Sequence, residues 1–370
     1  MKRERQGEHM TAYLVLADGS VYEGKARGAF HETVCDWMVC NAMSGHLEAL
    51  TDPASAGCGL LLSYPMAGNA GVNKADFESE RIWASALIVN ELCAHPSNFR
   101  SEGTLEETLL AFDIPCLCDV DTRSIVKKLR EVGVMRGMLT ADVSDMARIQ
   151  QKIAAQSEKR PVEAVSTPKM RALETEHTGF SVALLDLGAK RSLIEALTQR
   201  GGRVTLYPWN TPAQDILAGG HDGILVSGGP GAPVLYADIE AQLKTLLESG
   251  LPLLAVGLGH LLLAGAAGAQ LTALQNIHCG GNYPVRFPAE DRTYLTAQAA
   301  AYVVTREGLP QGVSVLCENV NDQSVEGLRY NGKACSVAFR PEGAPGPADT
   351  LFLLDKFVCD MKKEEAACHA

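Results

Sequence analysis

No two of the eleven cysteines stand at C-x-x-C spacing, which removes the usual zinc-ribbon and thiol–disulfide motifs. Cys116 and Cys118 are too close together for such a ribbon, and no metal site is expected. An odd number of cysteines spread over 370 residues argues for reduced, mostly buried thiols rather than a disulfide framework. Basic residues are short as well: 33 Lys and Arg against 44 Asp and Glu leave a net charge of −11. That balance disfavours a general nucleic-acid surface, which needs clustered positive charge, and leaves room only for a local basic patch. The charged opening MKRERQGEHM is not followed by the uninterrupted apolar run of a signal peptide. Residues 1–11 therefore read as a disordered leader and the protein as cytoplasmic. Internal repeats and low-complexity tracts are lacking too. What remains is an ordinary globular composition, 46% apolar and 21% charged, long enough for two domains with separate cores.

Taken in order, Ala12–Gly28 alternates apolar and polar residues around Asp18-Gly19, the pattern of a β-hairpin. Strands are expected at Val34–Cys40, Leu60–Tyr64 and Ile82–Val89, and helices at Leu105–Phe112 and Ser124–Val132, the second capped by Asp121-Thr122. Residues 12–156 thus form a small mixed domain. Residues 157–178 are polar and contain Pro161 and Pro168, as an interdomain linker would. From residue 179 to 370 the rhythm is different. Strands at Val182–Leu185, Val204–Tyr207 and Gly223–Val226 alternate with helices at Lys190–Arg200, Pro212–Ala218 and Ile239–Glu248. Such alternation predicts an α/β domain with a largely parallel sheet flanked by helices, and ligands at the strand C-termini. Further strands and loops are expected beyond Pro284, then a short helix near Thr350–Phe357.

The most informative stretch is Leu251–Leu271, LPLLAVGLGHLLLAGAAGAQL. Its 21 uncharged residues are long enough to span a bilayer. Pro252, His260 and the glycines at 257, 259, 265 and 268 argue instead for a buried strand, a sharp turn and a helix. Strand-to-helix corners of this kind mount nucleophiles in α/β enzymes, because they expose one side chain beside free helix N–H groups. Here the corner residue is Gly257. The elbow has no atom with which to attack.

These stretches, with Asn41–Pro53, Leu62–Asn73 (LSYPMAGNAGVN), Pro96–Ser101 (PSNFRS), Asp121–Arg123, Leu185–Arg191, Ser227–Pro233, Gly257–His260, Phe339–Glu342 and Pro345–Thr350, resemble the small subunit of carbamoyl-phosphate synthetase over nearly the whole chain. The resemblance implies a family-specific N-terminal domain followed by a class I glutamine amidotransferase domain. It also implies a large-subunit partner that receives ammonia through a tunnel and joins it to bicarbonate. ATP and a divalent metal would be bound by that partner, with no cofactor in this chain. In the family a cysteine attacks the glutamine amide, a histidine carries the proton, a glutamate orients the histidine and backbone N–H groups hold the oxyanion.

Carried over by position, Gly257 stands for the cysteine and Arg340 for the histidine, whereas Glu342 keeps the carboxylate. A guanidinium stays protonated and is no base at neutral pH. The substrate positions have changed too. Ala54 replaces a serine, Leu261 a glutamine, Ala232 an acid, and Ala299 and Ala300 an Asn-His pair. The remaining family positions are Gly229, Gly231, Leu258, Ala301 and Tyr302, and Gln298 is retained beside them. Removing polar groups leaves a buried substrate amide, ammonium and carboxylate without partners, which costs more than the lost attraction alone. Cys279 follows no strand-glycine elbow and reads as a buried or loop thiol. His260 reads as structural. The expected function is a carbamoyl-phosphate synthetase small subunit, serving pyrimidine and arginine pathways, that cannot hydrolyse glutamine. The alternative is a stand-alone binding or regulatory module in which Arg340 pairs with Glu342 or holds an anion.

Overall fold

The computed structural model describes residues 10–156, 160–173 and 179–362. Of the expected leader only Met10 and Thr11 lie within this range, and Thr11 already opens a strand. The chain divides into two compact units. One holds the described residues up to Thr51 and from Gly57 to Gln156; the other holds Asp52–Ala56 and the described residues from Arg160 onward.

The first unit is a closed barrel. Its strands run round the barrel in the order Thr11–Leu16, Val21–Gly28, Pro115–Cys118, Ala86–Ile88, Cys58–Leu62, Thr33–Cys40 and Met135–Thr140, the last pairing with the first. The opening hairpin turns where expected. The Asp18 carboxylate accepts from Ser20 N–H at 2.9 Å, and Gly19 takes a φ of +87° that suits glycine. Leu14, Leu16, Trp37, Leu61, Ile88, Leu117 and Leu139 are buried together inside the barrel, and each such side chain contributes about 2 kcal/mol on leaving water. Helices occupy Leu105–Ala111, with a Thr104/Glu107 capping box, and Thr122–Val132, capped by Asp121. The strand expected over Ile82–Val89 is shorter, Ala86–Ile88. Trp83 N–H and Ser85 N–H are used instead by the carbonyls of Leu50 and Cys58, at 2.9 and 2.8 Å.

The second unit is built on a ten-stranded sheet. Its parallel part is ordered Gly202–Pro208, Phe180–Asp186, Gly223–Val226, Leu253–Val256, Ala334–Val337. Arg171–Ala172 pairs antiparallel at one end. Beyond Ala334–Val337 the strands Val325–Arg329, Arg292–Val304, Leu271–Phe287 and Ser314–Asn319 are antiparallel. The α/β class is therefore as expected, but the sheet is parallel only in this five-strand part. The four-residue connection from Phe287 to Arg292 allows a hairpin and nothing else. Alternate residues of the parallel strands feed opposite faces: Ala183 and Leu185 pack with Leu243 and Leu262, while Val182 and Leu184 pack with Leu197 and Phe357.

Within the stretch read as a linker, Val162–Val165 is helical, Val162 is fully buried, and Thr167 N–H donates to Asp186 Oδ2 at 2.7 Å. Residues 157–159 and 174–178 of that stretch lie outside the described residues. Nine described cysteines are free. Most of these are buried, as expected of reduced thiols in place of a disulfide framework, whereas Cys359 is disulfide-bonded.

Candidate functional site

The uncharged stretch folds as the strand Leu253–Val256, a turn at Gly257 and the helix Leu258–Ala266. No helix among the described residues is long and apolar enough to cross a membrane. Gly257 has φ +55° and ψ −120°, the strained corner of a nucleophile elbow, and its N–H donates to Val337 O at 3.0 Å. A Cβ placed on Gly257 meets only Gly228 Cα, at 3.3 Å. The corner thus has its backbone shape and nearly enough room for a small side chain. It carries no thiol, hydroxyl or imidazole.

The loop Ser227–Pro233 stands beside this corner. Ser227 is completely buried, accepts from Leu187 N–H at 2.9 Å and donates to Gly228 O at 2.9 Å. Tyr236 Oη donates to Pro230 O at 3.0 Å. A Cβ on Gly229 would come within 2.2 Å of Leu187 O, so only glycine fits there. Gly231 adopts φ +94°. Gly229, Gly231 and Leu258 thus keep the backbone of the site, with Leu258 opening a helix whose first-turn N–H groups have no intrahelical partners.

The strand Ala334–Val337 leads to Arg340 and Glu342, and Arg340 N–H donates to Ala297 O at 2.9 Å. The two side chains do not pair with each other. Arg340 forms an ion pair with Asp52, whose side chain is 1% exposed. Asp52 in turn accepts from Ala54 N–H at 2.9 Å and caps the turn Pro53–Ser55. Glu342 Oε1 accepts from Lys190 Nζ at 2.6 Å, with both side chains buried, and Lys190 also donates to Ala344 O. The Arg340–Glu342 pair considered for a repurposed pocket is therefore not formed. Each buried carboxylate has found a cation elsewhere. Lys190 and Asp52 had no assigned role in the sequence; they lie within the matching motifs, 152 and 288 positions from their partners.

Of the other positions, Ala54 lies in the Pro53–Ser55 turn and Leu261 is buried in the elbow helix. Ala232 stands just before the short helix Pro233–Tyr236. Ala299, Ala300, Ala301 and Tyr302 follow one another on the strand Arg292–Val304. Gln298 is completely buried and accepts from His278, so it is held by the sheet's own hydrogen bonds. Cys279 is buried on the neighbouring strand, opposite Ala299, and its N–H donates to Tyr283 Oη at 2.9 Å. His260 is completely buried, with Nδ1 at 2.7 Å from Ser336 Oγ, which is itself 2.9 Å from Tyr330 Oη. Burial drives its pKa down to about 3, so it is a neutral ring in the core. Among the described residues no group of three or more His, Cys, Asp or Glu is placed to hold a metal.

The unit with the parallel sheet and the glycine elbow is of the class I glutamine amidotransferase type, and the other unit is a closed barrel. The class I glutamine amidotransferase family model matches residues 183–359, and the carbamoyl-phosphate synthase small chain CPSase-domain model matches residues 14–139. The chain belongs to the carbamoyl-phosphate synthase small chain family. Proteins named carbamoyl phosphate synthase small chain from Archaeoglobus fulgidus and Listeria innocua are each 36% identical to it, covering 96% of this chain and 99% of theirs. The one from Staphylococcus epidermidis is 36% identical over 95% of this chain and 96% of its own.

Proposed function

We propose that this chain is the small subunit of a carbamoyl-phosphate synthetase and does not hydrolyse glutamine. It docks on a large subunit that binds ATP and divalent metal and takes its nitrogen from free ammonia. The carbamoyl phosphate formed would feed pyrimidine and arginine synthesis. Family membership over both domains supports the partner, and the relatives' names carry the term small chain. The observation that carries the loss of hydrolysis is the pairing of Gly257 at the elbow with Arg340 at the base position. One offers no nucleophile and the other remains protonated. The ion pair of Arg340 with Asp52 further supports a settled structural use of that arginine.

Co-expression with the large chain of the same genome tests the proposal. The expected result is a stable complex that makes carbamoyl phosphate from ammonium and not from glutamine, with ammonium-dependent turnover or stability above that of the large chain alone. Failure to associate would favour the stand-alone module, and glutamine-dependent synthesis would refute the loss of hydrolysis.

A further inference from the structure

His278 lies on the antiparallel arm, on the strand Leu271–Phe287, between two register irregularities at Ala273/His278 and Gly280/Tyr283. It is 5% exposed and stacks on Tyr283 with ring centroids 4.8 Å apart. Both ring nitrogens meet oxygens. Nε2 is 2.8 Å from Asp322 Oδ2, and Nδ1 is 2.7 Å from Gln298 Oε1 and 3.3 Å from Glu326 Oε1.

The orientation of Gln298 is fixed by a chain of donors. Thr296 Oγ1 donates its only proton to Tyr283 O at 2.9 Å, so it can only accept from Gln298 Nε2, at 3.1 Å. Gln298 therefore turns its carbonyl oxygen to His278. A neutral imidazole donates from one nitrogen only and would set the lone pair of the other against an acceptor. The surroundings therefore fit a ring that donates from both nitrogens, the imidazolium. Charge balance leads to the same state. Glu326 is completely buried, with Oε1 accepting from Asn319 Nδ2 at 3.1 Å and Oε2 without a hydrogen-bond partner among the described residues; the Ser324 hydroxyl donates to Asp322 Oδ1 at 2.7 Å. Such a carboxylate needs a cation nearby.

We infer that protonated His278 is a latch that fastens the strand segment Gln298–Tyr302 to the turn Asn319–Glu326, so that loss of its proton loosens both. The segment it holds carries positions 299, 301 and 302, which the family uses for substrate. The inference does not depend on whether this chain hydrolyses glutamine. The groups facing the ring are Asp322 and Glu326 from the turn, Gln298 from the neighbouring strand, and Tyr283 from its own strand. Burial opposes the charge, but Glu326 and Asp322 outweigh it and raise the pKa above the ordinary 6.5. A raised folded-state pKa gives stability that is fully present below the unfolded value and lost as pH rises through the folded value.

The test is backbone hydrogen exchange followed by mass spectrometry, corrected for intrinsic pH dependence, alongside an NMR titration of the histidine rings in the full chain. Protection over residues 296–302 and 319–326 is expected to fall by roughly tenfold or more as His278 titrates, at a midpoint above that of an exposed histidine. In His278→Gln that pH-dependent loss should vanish. If that variant does not fold, Asp322→Asn, on the more exposed side of the ring, should still move the midpoint to lower pH. Unchanged protection through the titration, or a midpoint at or below that of an exposed histidine, would overturn the latch.

Discussion

Lys190 Nζ donates to Glu342 Oε1 at 2.6 Å, while Glu342 Oε2, buried in the same place, has no hydrogen-bond partner among the described residues. The retained carboxylate is thus held by one oxygen and leaves the other open to a donor. An imidazole N–H is a suitable donor, and position 340, two residues away, is where the resemblance implies one.

The Lys190–Glu342 pair should be a large single contributor to the second unit. Lys190→Met leaves a carboxylate that is 3% exposed without its cation, and the expected loss is about 3 kcal/mol. Combining it with Glu342→Gln should recover part of that loss. Urea unfolding of the two single variants and the double variant measures the coupling; additive effects would show that the pair is not coupled.

Arg340→Ala should cost less, about 2 kcal/mol, because the guanidinium is partly exposed while Asp52 is not. Asp52→Asn in the same background should restore stability, since the amide can still accept from Ala54 N–H. Thermal unfolding of the parent and these two variants checks this; an unaltered midpoint in Arg340→Ala would mean that Asp52 does not need the arginine.

His260 gives the fold an acid limit. Its folded pKa, near 3, is below the ordinary 6.5, so the unfolded chain binds a proton that the native chain refuses. Its contribution is present above the unfolded value and is lost as pH falls from about 6.5 toward about 3, by about 1.4 kcal/mol per pH unit. Urea unfolding across that range should show a shallower acid slope in His260→Gln than in the parent. Equal slopes would assign the acid sensitivity to other groups.

Repair of the site should be stepwise and incomplete. Gly257→Cys places a thiol in the strained corner, with only Gly228 Cα close to its Cβ, at a helix N-terminus that favours thiolate. It should fold, react with iodoacetamide and release no ammonia. Adding Arg340→His offers an N–H to Glu342 Oε2 but gives up the ion pair with Asp52. Weak turnover at high glutamine is the most the pair should reach, because Ala54, Leu261 and Ala299 bind substrate poorly and such groups act together. Robust turnover from Gly257→Cys alone would contradict the assignment of the base position.

Much of this fold can be read locally. Asp18-Gly19, the Thr104/Glu107 box, the Asp121 cap and the apolar run into Gly257 each act within a few residues, so their meaning survives without the tertiary structure. Closure of the barrel does not, since Met135–Thr140 pairs with Thr11–Leu16 from the far end of the unit. The strand Leu271–Phe287 begins well before Pro284, and the sequence hides that start because Thr272, Gln275, Asn276 and the glycines at 280 and 281 break any clean alternation. At the site, the missing nucleophile and base are visible as residue types. The partners are not: nothing in the spacing couples Asp52 to Arg340 or Lys190 to Glu342, because ion pairs across a fold are set by topology.

The decisive measurement is glutamate formation from glutamine, made on the purified chain and on its complex with the large chain. If Gly257 and Arg340 mean what their chemistry says, glutamate accumulates no faster than in buffer, with or without the partner. Catalytic glutamate formation that is abolished by Cys279→Ser or Glu342→Ala would contradict this and would place a working nucleophile or carboxylate in the chain.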